Sequence, residues 1–245
     1  MSIALLAAPF GSPAHLVPIL RQQGYAALSA QGLAELAPCR SGELSALAAY
    51  WSDLPGDRYL KDGGHYRRRR HSCFELEGTE LHAVAHRAHW QPLEYNALHG
   101  GMQRWFEPIE PAVLALPVWR RLLCWLGSVA SGLRAPQRWY LEAHQFRIDT
   151  TDGIGRPTPE GAHRDGVDLV AVFLLERHGV KGGETRVFDA AGPNGLRFTL
   201  SEPWSVLLLD DSRVIHETTP IQPVDGPGYR DTLVVTLRGG GFQGG

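Results

Sequence analysis

The chain has 245 residues and an almost balanced charge, with a formal net charge of −2 at pH 7. Its hydrophobic fraction of 43% and charged fraction of 20% are typical of a soluble globular protein. The slight negative charge argues against a nucleic-acid partner, because a surface that binds a polyanion needs an excess of basic residues. No apolar run approaches the roughly 20 residues that cross a bilayer, so we expect no membrane partner.

Cysteine usage and the first residues indicate the compartment. The three cysteines, Cys39, Cys73 and Cys124, are scattered and have no CxxC spacing. This pattern predicts neither a disulfide framework nor a zinc knuckle, and it suits a reducing environment. The first ten residues are apolar, but they lack a basic region and a clear cleavage site, so we interpret them as a first strand or core segment. We therefore expect a cytoplasmic protein.

Helical patterns occur in the first half of the chain. Behind the candidate N-cap Ser41, apolar residues recur at helical spacing from Leu44 to Trp51. A second amphipathic helix is predicted over 118–132. Between the two, the stretch CFELEGTELHAV is typical of a short hairpin that turns at Gly78.

From about residue 138 the chain has the pattern of a β protein. Short strand-like runs follow one another without helices between them, which favours a sandwich or barrel over a parallel α/β sheet. The seven runs are RWYLEAHQFRI, VDLVAVFLLE, ETRVFD, LRFTL, WSVLLLDD, RVIHETT and RDTLVVTLR. We predict a mainly β fold with flanking helices (α+β) in one domain over 1–245. Its helical layer and hairpin occupy 1–135, and its β core occupies 138–238.

A candidate metal site begins at the mouth of one predicted strand, in the stretch GAHRDGVDLVAVFLLE. His163 and Asp165 are two residues apart, so in extended backbone both side chains lie on one face. His216 lies on a later strand, which in a jelly roll can face the first across the interior. Two imidazoles and one carboxylate form the facial triad of non-haem Fe(II) sites, with the opposite coordination positions open. A His-x-Asp pattern followed by a distant histidine also arises by chance.

A candidate anion site follows 14 residues after His216. Arg230 and Thr232 lie on one face of the next predicted strand, where a guanidinium and a hydroxyl can bind a carboxylate together. The alternative is that Arg230 is a solvated charge on an edge strand. Its place at the start of an otherwise apolar strand favours an inward, paired arginine.

Together these residues resemble the dioxygenases that depend on 2-oxoglutarate and Fe(II). More narrowly, the chain resembles the bacterial 2OG-Fe dioxygenase family that includes the isoleucine dioxygenases. The likeness covers about residues 20 to 238. It rests on the stretches YRRRRHSCFEL, YNALHGGMQRWFEPI, EAHQFRI, PTPEGAHRDGVD and DSRVIHETTPI. It implies a double-stranded β-helix, the cupin-like jelly roll, braced by the N-terminal helices.

The resemblance also implies a reaction. His163, Asp165 and His216 are then the catalytic and metal-binding residues, which hold Fe(II). Arg230, assisted by Thr232, is expected to bind the far carboxylate of the cosubstrate 2-oxoglutarate, and O2 is the oxidant. The expected reaction hydroxylates or sulfoxidises a free L-amino acid or similar small molecule and releases succinate and CO2. Ascorbate is expected to help in vitro.

Further candidate binding residues come from two stretches. Gln145 and Arg147 share a strand face that we expect to look into the barrel, because the apolar face should pack on the helices. Gln145 is then a candidate for 2-oxoglutarate and Arg147 for substrate; the alternative is a polar face in solvent. In the run 67–70 alternate residues of a strand point inward, which makes Arg68 and Arg70 candidates for a substrate carboxylate. The alternative there is a solvated run with one arginine paired to a core carboxylate.

Eight other histidines have no spacing that competes with the triad. We interpret them as structural or surface residues. They are His65, His71, His82, His86, His89, His99, His144 and His178.

Two other functions remain open from the sequence. One is a non-catalytic jelly-roll module that binds or senses a ligand in a stress or biofilm response, although the intact triad with Arg230 argues against it. The other is an oxygenase of a peptide or protein side chain, for which an open groove is expected, whereas a compact lid over 149–162 favours a small molecule. The sequence does not decide the oligomeric state, and a homodimer is compatible with it.

Overall fold

The computed structural model describes residues 6–37 and 39–244, which form antiparallel β-sheets with helices packed on one side. The helices are α1 (Leu16–Gln23), α2 (Ala30–Leu36), α3 (Ser41–Ala48), α4 (Pro111–Leu114) and α5 (Pro117–Leu133). The strands are β1 (Tyr25–Leu28), β2 (Arg67–Glu77), β3 (Glu80–Ala83), β4 (Trp139–Asp149), β5 (Leu169–His178), β6 (Val180–Gly182), β7 (Thr185–Asp189), β8 (Gly195–Phe198), β9 (Val206–Leu209), β10 (Val214–Thr218), β11 (Ile221–Pro223) and β12 (Tyr229–Gly239).

The strands form one large and two small sheets. The large sheet has the order β1-β9-β5-β12-β4-β2-β3, and the small sheets have the orders β10-β7-β8 and β11-β6. Apolar residues of β5 and β9, such as Leu174 and Leu207, pack against Val187, Phe198 and Val214 of the three-stranded sheet. This arrangement is the predicted double-stranded β-helix, so the fold class is confirmed.

The helical layer covers the outer face of the large sheet. Helix α5 begins at Pro117, whose fixed φ suits the first position of a helix. Its apolar face, which includes Trp119 and Leu122, packs in the same core as Leu141 and Val235 of the sheet. This helix matches the predicted one closely. The helix predicted behind Ser41 also exists, but its N-cap is Arg40, one residue earlier.

The first half contributes more strands than the sequence indicates. The hairpin that turns at Gly78 is confirmed as β2 and β3, but β2 extends back to Arg67 and pairs with β4 along its length. The four-residue strand β1 pairs with β9 at the other edge of the sheet. The large sheet is therefore shared between the two halves of the chain.

Two other expectations concern the strand predicted in the first ten residues and the absence of a membrane-spanning helix. The first-strand prediction over 1–10 falls partly outside the described residues; Ala7 and Phe10 form only isolated bridges. In the described part of the chain no helix combines the length and apolar character needed to cross a membrane.

Candidate active site

The three predicted metal ligands meet between the large and small sheets. His163 lies in the loop before β5 and forms an isolated antiparallel bridge with His216 of β10. The backbone N–H of each histidine donates to the carbonyl of the other, over 3.0 and 2.9 Å. His163 Nε2 lies 3.8 Å from Asp165 Oδ1, and His216 Nε2 lies 3.8 Å from Asp165 Oδ2. One ligand atom from each residue thus falls within 4.8 Å of the others.

The hydrogen bonds of His163 leave the correct nitrogen available for a metal. Its Nδ1 lies 2.9 Å from the carbonyl oxygen of Gly161 and donates to it, since a carbonyl can only accept. The neutral ring then has its lone pair on Nε2, which faces Asp165. Orientation of a ligand imidazole through its other nitrogen is common at metal sites. The donor set and its geometry therefore fit a single Fe(II) ion.

The loop that carries Asp165 is held by the carboxylate of Asp211. The backbone N–H of Asp165, Gly166 and Val167 all donate to it, at distances between 2.7 and 3.1 Å. Gly166 has a φ of 75°, and a Cβ there would lie 2.3 Å from the ring of Tyr95. The backbone here is a tight loop and not the extended strand that the sequence suggested.

A chain of side chains positions the Asp165 carboxylate itself. Gln91 Nε2 donates to Asp165 Oδ1 over 2.9 Å. Gln91 Oε1 accepts from Arg104 Nη2 over 2.9 Å and from Asn96 Nδ2 over 3.1 Å, which fixes the orientation of the amide. Sequence reasoning did not single out these three residues, because no motif connects them to the triad.

Replacing Gln91 with leucine is expected to weaken metal binding by about 10- to 100-fold, the usual effect of losing a partner of a ligand. The physical reason is that Asp165 loses the donor that orients it. Anaerobic calorimetric titration with Fe(II) measures the change, with the exposed Gln22→Leu variant as the matched control. An affinity within twofold of the wild type in folded Gln91→Leu protein would contradict the role.

Arg230 is a buried cation with no partner in the described structure. It is 3% exposed, lines the same cavity as the triad, and its Nε has no hydrogen-bond partner. Burial, and then the charge of Arg177, lower the pKa of Arg230 to about 9. Thr232 lines the cavity two residues further along β12, whereas Asp231 points away and pairs with Arg147. An uncompensated buried guanidinium beside a hydroxyl fits the carboxylate of a bound ligand.

The expected orientation of β4 is wrong. Phe146 and Ile148 line the cavity, while Gln145 and Arg147 lie on the opposite face. Gln145 is fully buried on the helix side, where its amide has no partner among the described residues. Arg147 pairs with Asp231 over 2.6 Å. The two residues therefore do not reach the cavity from these positions.

The alternation predicted for the run 67–70 is present, but its phase is reversed. Arg67 and Arg69 line the cavity, and Arg68 and Arg70 do not. The side chain of Arg68 is 49% exposed and lies 3.5 Å from Asp149. The arginines chosen as substrate candidates are therefore on the outer face of β2.

Three of the histidines interpreted as structural form a cluster with Glu142 on the cavity wall. His71 Nε2 and His89 Nδ1 lie 2.8 and 2.7 Å from the same oxygen, Glu142 Oε2. The ring of His144 stacks on His71 at 4.5 Å, and its Nδ1 accepts from Arg69 Nη2 over 2.6 Å. Burial lowers the pKa of His89 to about 3, so this ring is neutral. Burial raises the pKa of Glu142, but His89 and His71 lower it by a larger amount, so the carboxylate is ionised.

Asp57 lies behind the two inward arginines. Its Oδ2 is 2.7 Å from Arg67 Nε and 3.8 Å from Arg69 Nη1. The guanidinium of Arg69 also lies between the rings of Phe106 and Phe146, at 3.7 and 4.4 Å from their centres. One buried carboxylate is thus the shared counterion of two guanidiniums in the cavity wall.

The inward-facing groups among these residues surround one cavity. The triad, Arg230 and the Glu142 cluster all contribute to its walls. A metal, a dicarboxylate and a further molecule therefore have a common space in which to meet.

Comparisons with known proteins agree with this geometry. The family model described as 2OG-Fe dioxygenase matches residues 48–236. The crystal structure of a bsmA homologue from Methylobium petroleophilum PM1 is 55% identical, has a TM-score of 0.92 and covers 99% of each chain. No curated protein matches the sequence.

More distant structures show the same fold. The structure of IDO from Bacillus thuringiensis is 19% identical, with a TM-score of 0.75 over 92% of this chain and 98% of that one. The Fe(II)/(alpha)ketoglutarate-dependent dioxygenase TqaL is 19% identical, with a TM-score of 0.72 over 92% of this chain and 86% of that one. With the family model and the 55% identical relative, the chain belongs to the 2OG-Fe dioxygenase family, whose members use Fe(II), 2-oxoglutarate and O2.

Proposed function

We propose that this dioxygenase hydroxylates or sulfoxidises a free amino acid or a similar small molecule in the described cavity. In this proposal His163, Asp165 and His216 hold Fe(II), and Arg230 with Thr232 binds the far carboxylate of 2-oxoglutarate. The observation that carries the proposal is the unpaired, buried Arg230 in the same cavity as three convergent metal ligands.

The chain supplies orientation and a sheltered space for this reaction. When bound, Fe(II) with 2-oxoglutarate activates O2 to oxidise the substrate, while the cosubstrate becomes succinate and CO2. The Gly161 carbonyl keeps the Nε2 lone pair of His163 directed at the metal position. Gln91 and the Asp211 carboxylate hold Asp165, so the three ligands lie on one side and leave the cavity side for ligands.

Arg230 determines where the cosubstrate lies. A carboxylate at its guanidinium forms charge-assisted hydrogen bonds in a site from which water is largely excluded. The Thr232 hydroxyl lines the same wall and can donate to that carboxylate. Because Arg230 is 3% exposed, this contact is available only to a ligand that enters the cavity.

The segment 149–162 supports a small substrate. Pro157, Thr158 and Glu160 line the cavity, and Thr158 Oγ1 donates to the carbonyl of Thr218 in β10 over 3.0 Å. Gly155 also forms a bridge to Ile221. The segment is thus attached to the small sheets as a cover, which favours a compact ligand over an extended peptide.

The test of the proposal is anaerobic addition of Fe(II) and 2-oxoglutarate to the protein. We expect the visible charge-transfer band of the chelate, followed on aeration by succinate release that a small amino acid stimulates. A screen of the twenty common L-amino acids, with ascorbate present, identifies the substrate. Absence of the band in folded protein contradicts the metal and cosubstrate assignments, and ligand binding without succinate indicates a non-catalytic module.

Replacing Arg230 with alanine is expected to raise the 2-oxoglutarate concentration needed for half-maximal rate by about 10- to 150-fold. This range corresponds to losing a charge-assisted contact worth about 1.5–3 kcal/mol. Steady-state kinetics against 2-oxoglutarate measure it, with the exposed Arg197→Ala variant as control. An unchanged requirement would remove Arg230 from the cosubstrate site.

A further inference from the structure

We propose that the cavity contains a two-pole subsite for a zwitterion. Glu142 binds the ammonium group, and Arg67 and Arg104 bind the carboxylate. The inference rests on the proposed function, since it assigns the residues that distinguish a free amino acid from other small molecules.

The negative pole is the unused oxygen of Glu142. Its Oε2 accepts from both His71 and His89, whereas Oε1 has no hydrogen-bond partner in the described part of the chain. Glu142 is 9% exposed and lines the cavity. Because both histidines donate to it, the carboxylate stays ionised, which raises its value as a partner for a cation.

The positive pole consists of two guanidiniums with unused donors. Arg67 is 4% exposed and Arg104 is 2% exposed, and both line the cavity. Arg67 Nη2 and Arg104 Nε are buried and have no hydrogen-bond partner. Both guanidiniums line one cavity, and burial, followed by the charge of Arg67, lowers the pKa of Arg104 to about 10. A carboxylate at this place satisfies the free donors.

A second divalent cation fits the cluster less well. The ring protons of His71 and His89 already face Glu142, and the Nδ1 lone pair of His144 accepts from Arg69. A divalent ion would have to displace these bonds next to the Arg69 charge. A singly charged ammonium adds to the existing hydrogen bonds without breaking them.

The test uses the full-length protein loaded with Mn(II) and 2-oxoglutarate, which prevents turnover. Calorimetric titration with the twenty common L-amino acids identifies the tightest binder, which is then compared with its des-amino acid and its decarboxylated amine. We expect each analogue to bind the wild type about 10-fold or more weakly than the amino acid. Glu142→Gln should weaken binding of the amino acid by a similar factor and leave that of the des-amino acid unchanged. The surface variant Glu110→Gln is the matched control.

Several outcomes would overturn the subsite. They are equal binding of the amino acid and its des-amino analogue by the wild type, an equal loss for both in Glu142→Gln, or no binding by any of the twenty. A second equivalent of Mn(II) that disappears in Glu142→Gln would assign the cluster to a metal instead. If Mn(II) and 2-oxoglutarate themselves fail to bind, the proposed function fails, and the two failures are thus distinguished. The wild-type comparison needs no variant, so it holds even if Glu142→Gln does not fold.

Discussion

Replacing Asp165 with alanine is expected to abolish turnover and to weaken Fe(II) binding by more than about 100-fold. Loss of a residue that hydrogen-bonds to a metal ligand already weakens metal binding by about 10- to 100-fold. This change removes a ligand itself, and with it the only negative charge among the three. It also leaves the Gln91 amide without its acceptor. Anaerobic Fe(II) titration and succinate release measure the two losses.

The control for this change is Asp225→Ala, which removes an exposed carboxylate far along the chain. Circular dichroism should show that both variants are folded. Because Asp211 binds the loop through backbone N–H groups, the loop does not need the Asp165 side chain to keep its shape. Iron affinity near that of the wild type in Asp165→Ala would contradict the assignment of this ligand.

Replacing Asp57 with asparagine is expected to lower the free energy of unfolding by about 3–5 kcal/mol, the usual cost of breaking a buried ion pair by removing one partner. Asp57 is 6% exposed, and its loss leaves the guanidiniums of Arg67 and Arg69 buried without their shared counterion. Urea unfolding measures the change, and the exposed Asp53→Asn variant is the control. A loss below about 1 kcal/mol would show that the wall does not depend on this pair.

The ion pairs of Asp57 also make the free energy of unfolding depend on pH. Burial raises the pKa of Asp57, but the charges of Arg67 and Arg69 lower it by a larger amount. The pKa of the folded state therefore lies below the usual value of an aspartate. A lowered carboxyl pKa contributes stability that is fully present above the unfolded value of about 3.9 and is lost as the pH falls through the folded value. The difference in stability between wild type and Asp57→Asn should therefore shrink in acid.

The sequence predicted the candidate site best where metal-binding residue types lie at the ends of predicted strands. His163, Asp165 and His216 stand at the ends of strongly apolar runs, and together with Arg230 they form a spacing pattern that few structural roles would produce. The structure brings the three ligands together as expected. Their roles in catalysis remain proposals that the variants above test.

The orientations of β2 and β4 could not be predicted from residue polarity. Strand β4 is buried on both faces, one against the helices and one against the cavity, so polar residues occur on each. Gln145 faces the apolar layer, and His144 faces the polar cavity. The usual inference that the apolar face meets the helices fails when the interior is itself a polar site. The pairing of Glu142 with His71 and His89 depends on the orientation of β4, so it could not be predicted either.

The pairing of β1 with β9 has a consequence for how the chain reaches its native state. Strand β1 (25–28) forms an edge of the large sheet only by pairing with β9 (206–209), so it cannot join the sheet until β9 is available. Contacts between parts of the chain so distant in sequence require closing very long loops, which slows folding. During synthesis the first half cannot complete its hydrogen bonding until most of the second has emerged. Nascent chains of this protein should therefore remain incompletely folded, and in need of protection from aggregation, until late in translation.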